Sequence, residues 1–132
     1  MSLDRAEVLQ VLRRLPALLI VILACCAPPQ PVATKKLELS LPESGIPLNQ
    51  FFSLTIQVLS ETDLSCEVKV DADMPAHGHG MIVAPTCVMS EEGLWQVDGM
   101  KFHMPGDWEI YVDLVRGEEV ERHVFPVTLE PF

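Results

Sequence analysis

From Leu37 onward, apolar and polar residues alternate in short runs that turn residues interrupt. "KLELSL" sets Leu37, Leu39 and Leu41 against polar neighbours, and "FFSLTIQVLS" sets Phe52, Leu54, Ile56 and Val58 on one side. "CEVKVDA" repeats the pattern with Cys66, Val68 and Val70, "WEIYVDLV" with Trp108, Ile110, Val112 and Leu114, and "RHVFPVTLE" with Phe125, Val127 and Leu129. Successive side chains of a strand point to opposite faces, so each run reads as a strand with its apolar set turned inward. "PESG", "EEG" and "RGEE" supply turns between them. No segment of this region carries a helical period. About seven short strands with turn signals at close intervals predict an all-β fold, an immunoglobulin-like antiparallel β-sandwich.

The N-terminal segment breaks this pattern. Arg13 and Arg14 precede an apolar run from Leu15 to Ala24, which ends in small residues and prolines. A basic flank, a short apolar stretch and a small-residue exit describe an export signal. A membrane-spanning helix needs roughly 20 apolar residues, more than this run offers. The competing reading is a short anchor that stays attached. Ile22-Leu23-Ala24-Cys25 resembles a bacterial lipobox, with Cys25 as the lipidated residue; Cys26 fits less well, because Cys25 would then stand where a small residue belongs. "APPQPVAT", residues 27–34, reads as a Pro-rich spacer. The expected organisation is therefore a lipoprotein-type signal over 1–24, a tether over 25–34 and the β-sandwich over 35–132. Such a protein would be lipid-anchored to the bacterial cell envelope and face the periplasm or the exterior.

Charge narrows the partners. Residues 25–132 hold six Lys/Arg against seventeen Asp/Glu, a net charge of −11. An acidic surface repels phosphate backbones, so nucleic acid is not an expected partner. Two cysteines remain in this part, Cys66 and Cys87. Export leads to an oxidising compartment, which makes a Cys66–Cys87 disulfide the expectation, worth roughly 3 kcal/mol if geometry permits. Paired thiolates as metal ligands are the alternative.

The chemistry concentrates in "DADMPAHGHGMIVAP". His77, His79 and Met81 occupy alternate positions, so in a strand they would share one face, with Gly78 and Gly80 leaving the other bare. Met74-Pro75 precedes them, and "FHMPGDW" echoes the step with His103, Met104 and Pro105. Thioethers select Cu(I) and imidazole suits copper and zinc, so a mixed His/Met set favours copper. The candidate ligands are Met74, His77, His79, Met81, His103 and Met104; Met100 and His123 are weaker. A purely structural role is open too: the glycines could mark a bulge, with the histidines satisfied by main-chain carbonyls and Met81 filling the core.

"MPAHGHGM" followed by "GLWQVDGMKFHMPGDWEIYVDL" resembles the YtkA-like domain family, small exported β-sandwiches with a Met-Pro-x-His-x-His-Gly-Met core and a later Met-Pro-Gly-x-Trp. The resemblance spans roughly Asp71 to Leu114 and falls on Met74, Pro75, His77, His79, Gly80, Met81, Met104, Pro105, Gly106 and Trp108. It is similar in character to FixH-type proteins, associated with copper delivery to respiratory oxidases, and in architecture to CopC-like proteins. The resemblance implies an exported accessory domain that handles metal, with an envelope metalloprotein or oxidase-assembly protein as partner. No nucleophile elbow, phosphate loop or zinc-protease helix is present, which argues against an enzyme. Two functions follow: a membrane-tethered domain that binds or transfers copper, and a non-catalytic structural or interaction domain of an envelope assembly.

Overall fold

The computed structural model describes residues 32–34 and 36–131. The expected signal segment, Cys25 and most of the tether lie outside these residues. Within them run nine strands: β1 (Val32–Ala33), β2 (Leu37–Ser40), β3 (Phe52–Val58), β4 (Glu67–Met74), β5 (His79–Gly80), β6 (Thr86–Glu91), β7 (Leu94–Met100), β8 (Gly106–Arg116) and β9 (Glu119–Leu129). A single 3₁₀ turn, Glu61–Asp63, joins β3 to β4. Among the described residues no helix is long and apolar enough to cross a membrane.

Every named pairing is antiparallel, and the strands form two sheets ordered β1-β2-β3-β7-β6 and β5-β4-β8-β9. Setting aside the two-residue strands β1 and β5, this is the seven-strand order of an immunoglobulin constant-type sandwich. One sheet holds its first, second, fifth and fourth strands, and the other its third, sixth and seventh. Val32 and Ala33 were assigned to the spacer, yet they pair with Leu39 and Glu38 at the edge of the first sheet.

The alternation explains the core directly. Leu37, Leu39, Leu54, Ile56, Trp95 and Val97 line the inner face of one sheet, and Val68, Val70, Ala72, Ile110, Val112, Leu114 and Phe125 that of the other. The alternate residues are exposed on β4, as at Glu67, Lys69 and Asp71, and half-buried on β8, as at Tyr111 and Asp113. One charged side chain is buried as well. Asp63 is fully buried and meets Arg116 and, at 3.6 Å, Lys36. Burial pushes its carboxyl up, but hydrogen bonding from Ser60 and the charges of Lys36 and Arg116 outweigh it and hold the group below the ordinary range.

The expected disulfide is corrected. Cys66 and Cys87 are both free thiols. The Cys66 sulfur lies 3.9 Å from Asp63 Oδ1, at the start of β4, whereas Cys87 on β6 sits beside the Val70 main chain. The two sulfurs thus have different neighbours and are not bonded to each other. Burial pushes both thiols up, which keeps them protonated in the metal-free domain.

Candidate functional site

The motif histidines gather at one end of the sandwich, though not as one strand. β4 runs to Met74, and Pro75-Ala76-His77-Gly78 then turn the chain back into β5. The amides of His77 and Gly78 both donate to the Met74 carbonyl at 3.0 Å, and Gly78 takes a φ of +68°, which a glycine adopts without strain. This turn removes His77 from the strand. The expected single face carrying His77, His79 and Met81 is therefore corrected: the strand begins at His79 and is two residues long.

Register settles where His79 points. It pairs directly with Met74. Directly opposed residues of an antiparallel pair project to the same face, and Met74 shares the inward parity of Val68, Val70 and Ala72. His79 therefore turns toward the interior at the open end of the sandwich, and Met81 follows it in parity, its amide donating to the Ala72 carbonyl at 2.9 Å.

The connection between β7 and β8 brings the second half of the site. Phe102 is bridged to Leu48, and its carbonyl accepts the Asn49 amide at 2.7 Å. Two residues on, the Met104 carbonyl accepts the Trp108 indole N–H at 3.0 Å. His103 is thus held between two main-chain anchors. Trp108, 1% exposed, stacks parallel on Phe102 with centroids 4.4 Å apart, and this pair forms the floor of the site. The His103 ring stands edge-on to Trp108 at 5.5 Å and that of His79 at 6.4 Å. Between the imidazoles, His79 and His103 are 5.2 Å apart and His77 and His79 are 5.8 Å apart, centroid to centroid.

Of the predicted ligands, the fold unites His77, His79 and His103. Met81 and Met104 are half-buried and pack against the core. Met74 is completely buried in the core, with its terminal methyl 3.0 Å from where a Cβ on Gly106 would lie. His123 lies elsewhere, 3.2 Å from Glu121 and 3.5 Å from Thr34, and Met100 is fully buried. Phe102 is the structural residue that sequence reasoning missed. Its signal is an aromatic residue that continues the even-numbered inward parity of Met100 and of Trp108, Ile110 and Val112.

Three observations bear on whether a metal ion suits this donor set. His79 Nδ1 and His103 Nδ1 are buried without a hydrogen-bond partner, a state that costs about 1–3 kcal/mol for each nitrogen and that coordination would relieve. Two imidazoles bound to one tetrahedral ion bring their centroids to roughly 5–6 Å, the spacing seen here. Against this, among the described residues no three His, Cys, Asp or Glu side chains have their donor atoms drawn to one point. The donor types suit a metal, and the rings are neighbours, but among the described residues they do not form a gathered metal-binding group.

Residues 53–113 match the family model described as YtkA-like. This part of the chain is a YtkA-like domain. The match begins on β3 and ends on β8, so it contains the Met-Pro-x-His-x-His turn and the Met-Pro-Gly-x-Trp segment but not β1, β2 or β9. No curated protein and no solved structure matches the chain.

Proposed function

We propose that this YtkA-like chain is an exported, membrane-tethered domain that binds copper, or passes it on, through His77, His79 and His103. The observation that carries this reading is the set of imidazoles over the Trp108–Phe102 stack, two of them with a buried, unpartnered Nδ1. Such nitrogens are costly in an apolar setting unless something binds them. The half-buried thioethers of Met81 and Met104 lie on the same two segments and would shift preference toward copper over zinc. Copper, when bound, would be the cargo of a carrier. The chain itself supplies donors, a dry aromatic floor and an open side for handover. Cys25 would supply the lipid anchor, and an envelope metalloprotein or oxidase-assembly protein the recipient.

The test is a titration of the purified chain with Cu(I) against a competing chelator, and separately with Cu(II). One equivalent should bind to the parent, and the His79→Ala/His103→Ala variant should bind neither ion at that affinity while unfolding at a similar temperature. Equal binding by parent and variant places the site elsewhere.

A second reading rests on a different surface. Ile82, Val88 and Met89 are exposed on β6 and the loop before it, along an unpaired sheet edge. An interaction domain of an envelope assembly would use such an edge. Absence of copper binding by the parent chain would favour this reading.

A further inference from the structure

The three histidines are not held alike. His79 lies in a paired strand, with Met74 opposite it and Asp73 opposite Gly80. His103 is fixed between the Phe102 bridge and the Met104–Trp108 hydrogen bond. Both rings rest against Trp108, and both bury a nitrogen. His77 differs on each count. Its main chain is pinned by the bond to the Met74 carbonyl, but its side chain is exposed at the tip of the turn. Its neighbours Ala76 and Gly78 are small and exposed, and a Cβ on Gly78 would meet nothing within 4 Å. The His77 side chain thus has solvent beside it and small neighbours in the turn.

We propose that His77 is the exchangeable ligand: His79 and His103 hold the ion, and His77 covers it, leaves first and opens the position that a recipient's donor then takes. This deepens the copper reading above and rests on it. It explains why three imidazoles approach one another while their donor atoms are not gathered at one point. The two anchored rings are preorganised, and the third closes the set by turning about its own side-chain bonds. The exchange breaks one bond between metal and the His77 nitrogen and forms one between metal and a donor on the recipient. No electron moves, and the imidazole departs neutral with its lone pair. Placing the labile ligand on the exposed turn means that the recipient approaches from the side of Pro75, Ala76 and His77.

The experiment compares full-length parent, His77→Ala, His79→Ala and His103→Ala with Cu(I) and a chromogenic chelator, measuring both equilibrium affinity and release rate. His77→Ala should keep affinity within about tenfold of the parent and release the ion several-fold faster, whereas either anchor variant should lose about a hundredfold or more. Because an anchor variant could lose binding by misfolding, a second measurement uses the unmutated chain. Acylation of histidines, mapped by mass spectrometry, should modify His77 far faster than His79 or His103 in the metal-free protein. Copper should slow the modification of all three. If His77→Ala weakens binding as much as His79→Ala, or if the three histidines react at equal rates without metal, His77 is not the labile ligand. If the parent binds neither Cu(I) nor Cu(II), the copper reading itself falls, and this one with it.

Discussion

Replacing Trp108 with phenylalanine separates the floor of the site from its ligands. The change removes the indole N–H that donates to the Met104 carbonyl at 3.0 Å, and it shrinks the ring stacked on Phe102. A hydrogen bond of this kind contributes about 1 kcal/mol net, less than a fully buried one would, because Met104 is half-buried and water can reach its carbonyl. The smaller ring leaves a gap at a position only 1% exposed, which adds about another 1 kcal/mol. The expected loss is therefore about 2 kcal/mol, equivalent to a fall of roughly 10 °C in Tm for a domain of this size. Loss of the Met104 anchor also frees the segment that carries His103, and the His79 and His103 rings lose the edge they rest on. Copper affinity should fall about tenfold in protein that is still folded, the lower end of what supporting residues usually contribute. Denaturant unfolding followed by circular dichroism gives the first quantity, and a Cu(I) competition titration well below the variant's Tm gives the second. A folded variant that binds copper like the parent would refute the idea that Trp108 positions the imidazoles. A stability loss under about 0.5 kcal/mol would refute the packing argument.

Three further outcomes follow from the same geometry. Gly106 has a φ of +120°, and a Cβ there would lie 3.0 Å from the Met74 methyl; that methyl can yield, so Gly106→Ala should lose about 1–3 kcal/mol through backbone strain, measured by thermal unfolding, and trimming Met74 should not restore it. Asp63 is held below its ordinary value by Ser60, Lys36 and Arg116 in spite of burial, so its contribution is present above the unfolded-state value near 3.8 and is lost as pH falls through the lower folded value; Asp63→Asn should destabilise the domain at neutral pH and flatten its acid-unfolding profile, and an unchanged profile would count against the buried ion pair. Peptide mapping without reductant should recover Cys66 and Cys87 uncrosslinked, with Cys66 labelled slowly until the protein is unfolded; a Cys66–Cys87 peptide would contradict the two free thiols described here.

The fold could be read from the chain because its information is local. Val68, Val70 and Ala72, or Ile110, Val112 and Leu114, declare an inward face within a few residues, and the two sheets follow from burying such faces against each other. β6 escaped this reading for the same reason. It is an edge strand whose residues are almost all exposed, so burial imposes no alternation on "TCVMSE". Cysteine count and compartment suggest a disulfide, but neither carries information about where the fold puts each sulfur, Cys66 beside Asp63 and Cys87 beside Val70.

The site was legible in its residue types and not in its geometry. Parity alone would have placed Met74 in the core, since it continues Val68, Val70 and Ala72, but the Met-Pro step drew it into the ligand set. At His77 the period of two does not hold, because Gly78 adopts the left-handed turn that precedes β5. What periodicity could not supply is the meeting of His79 with His103. That contact depends on the β4–β5 turn and the β7–β8 connection closing over the same end of the sandwich, with Trp108 reaching both. Sequence separation between the two segments is bridged by the pairing of β4 with β8, in which Asp73 stands opposite Glu109. That pairing sets Met74, and so His79 across from it, beside Trp108. The register of two central strands therefore fixes the distance between a histidine on β5 and one on the β7–β8 connection. The function proposed for this end of the domain rests on the sandwich core, and a register slip between β4 and β8 would dismantle the site before it unfolded the sheet.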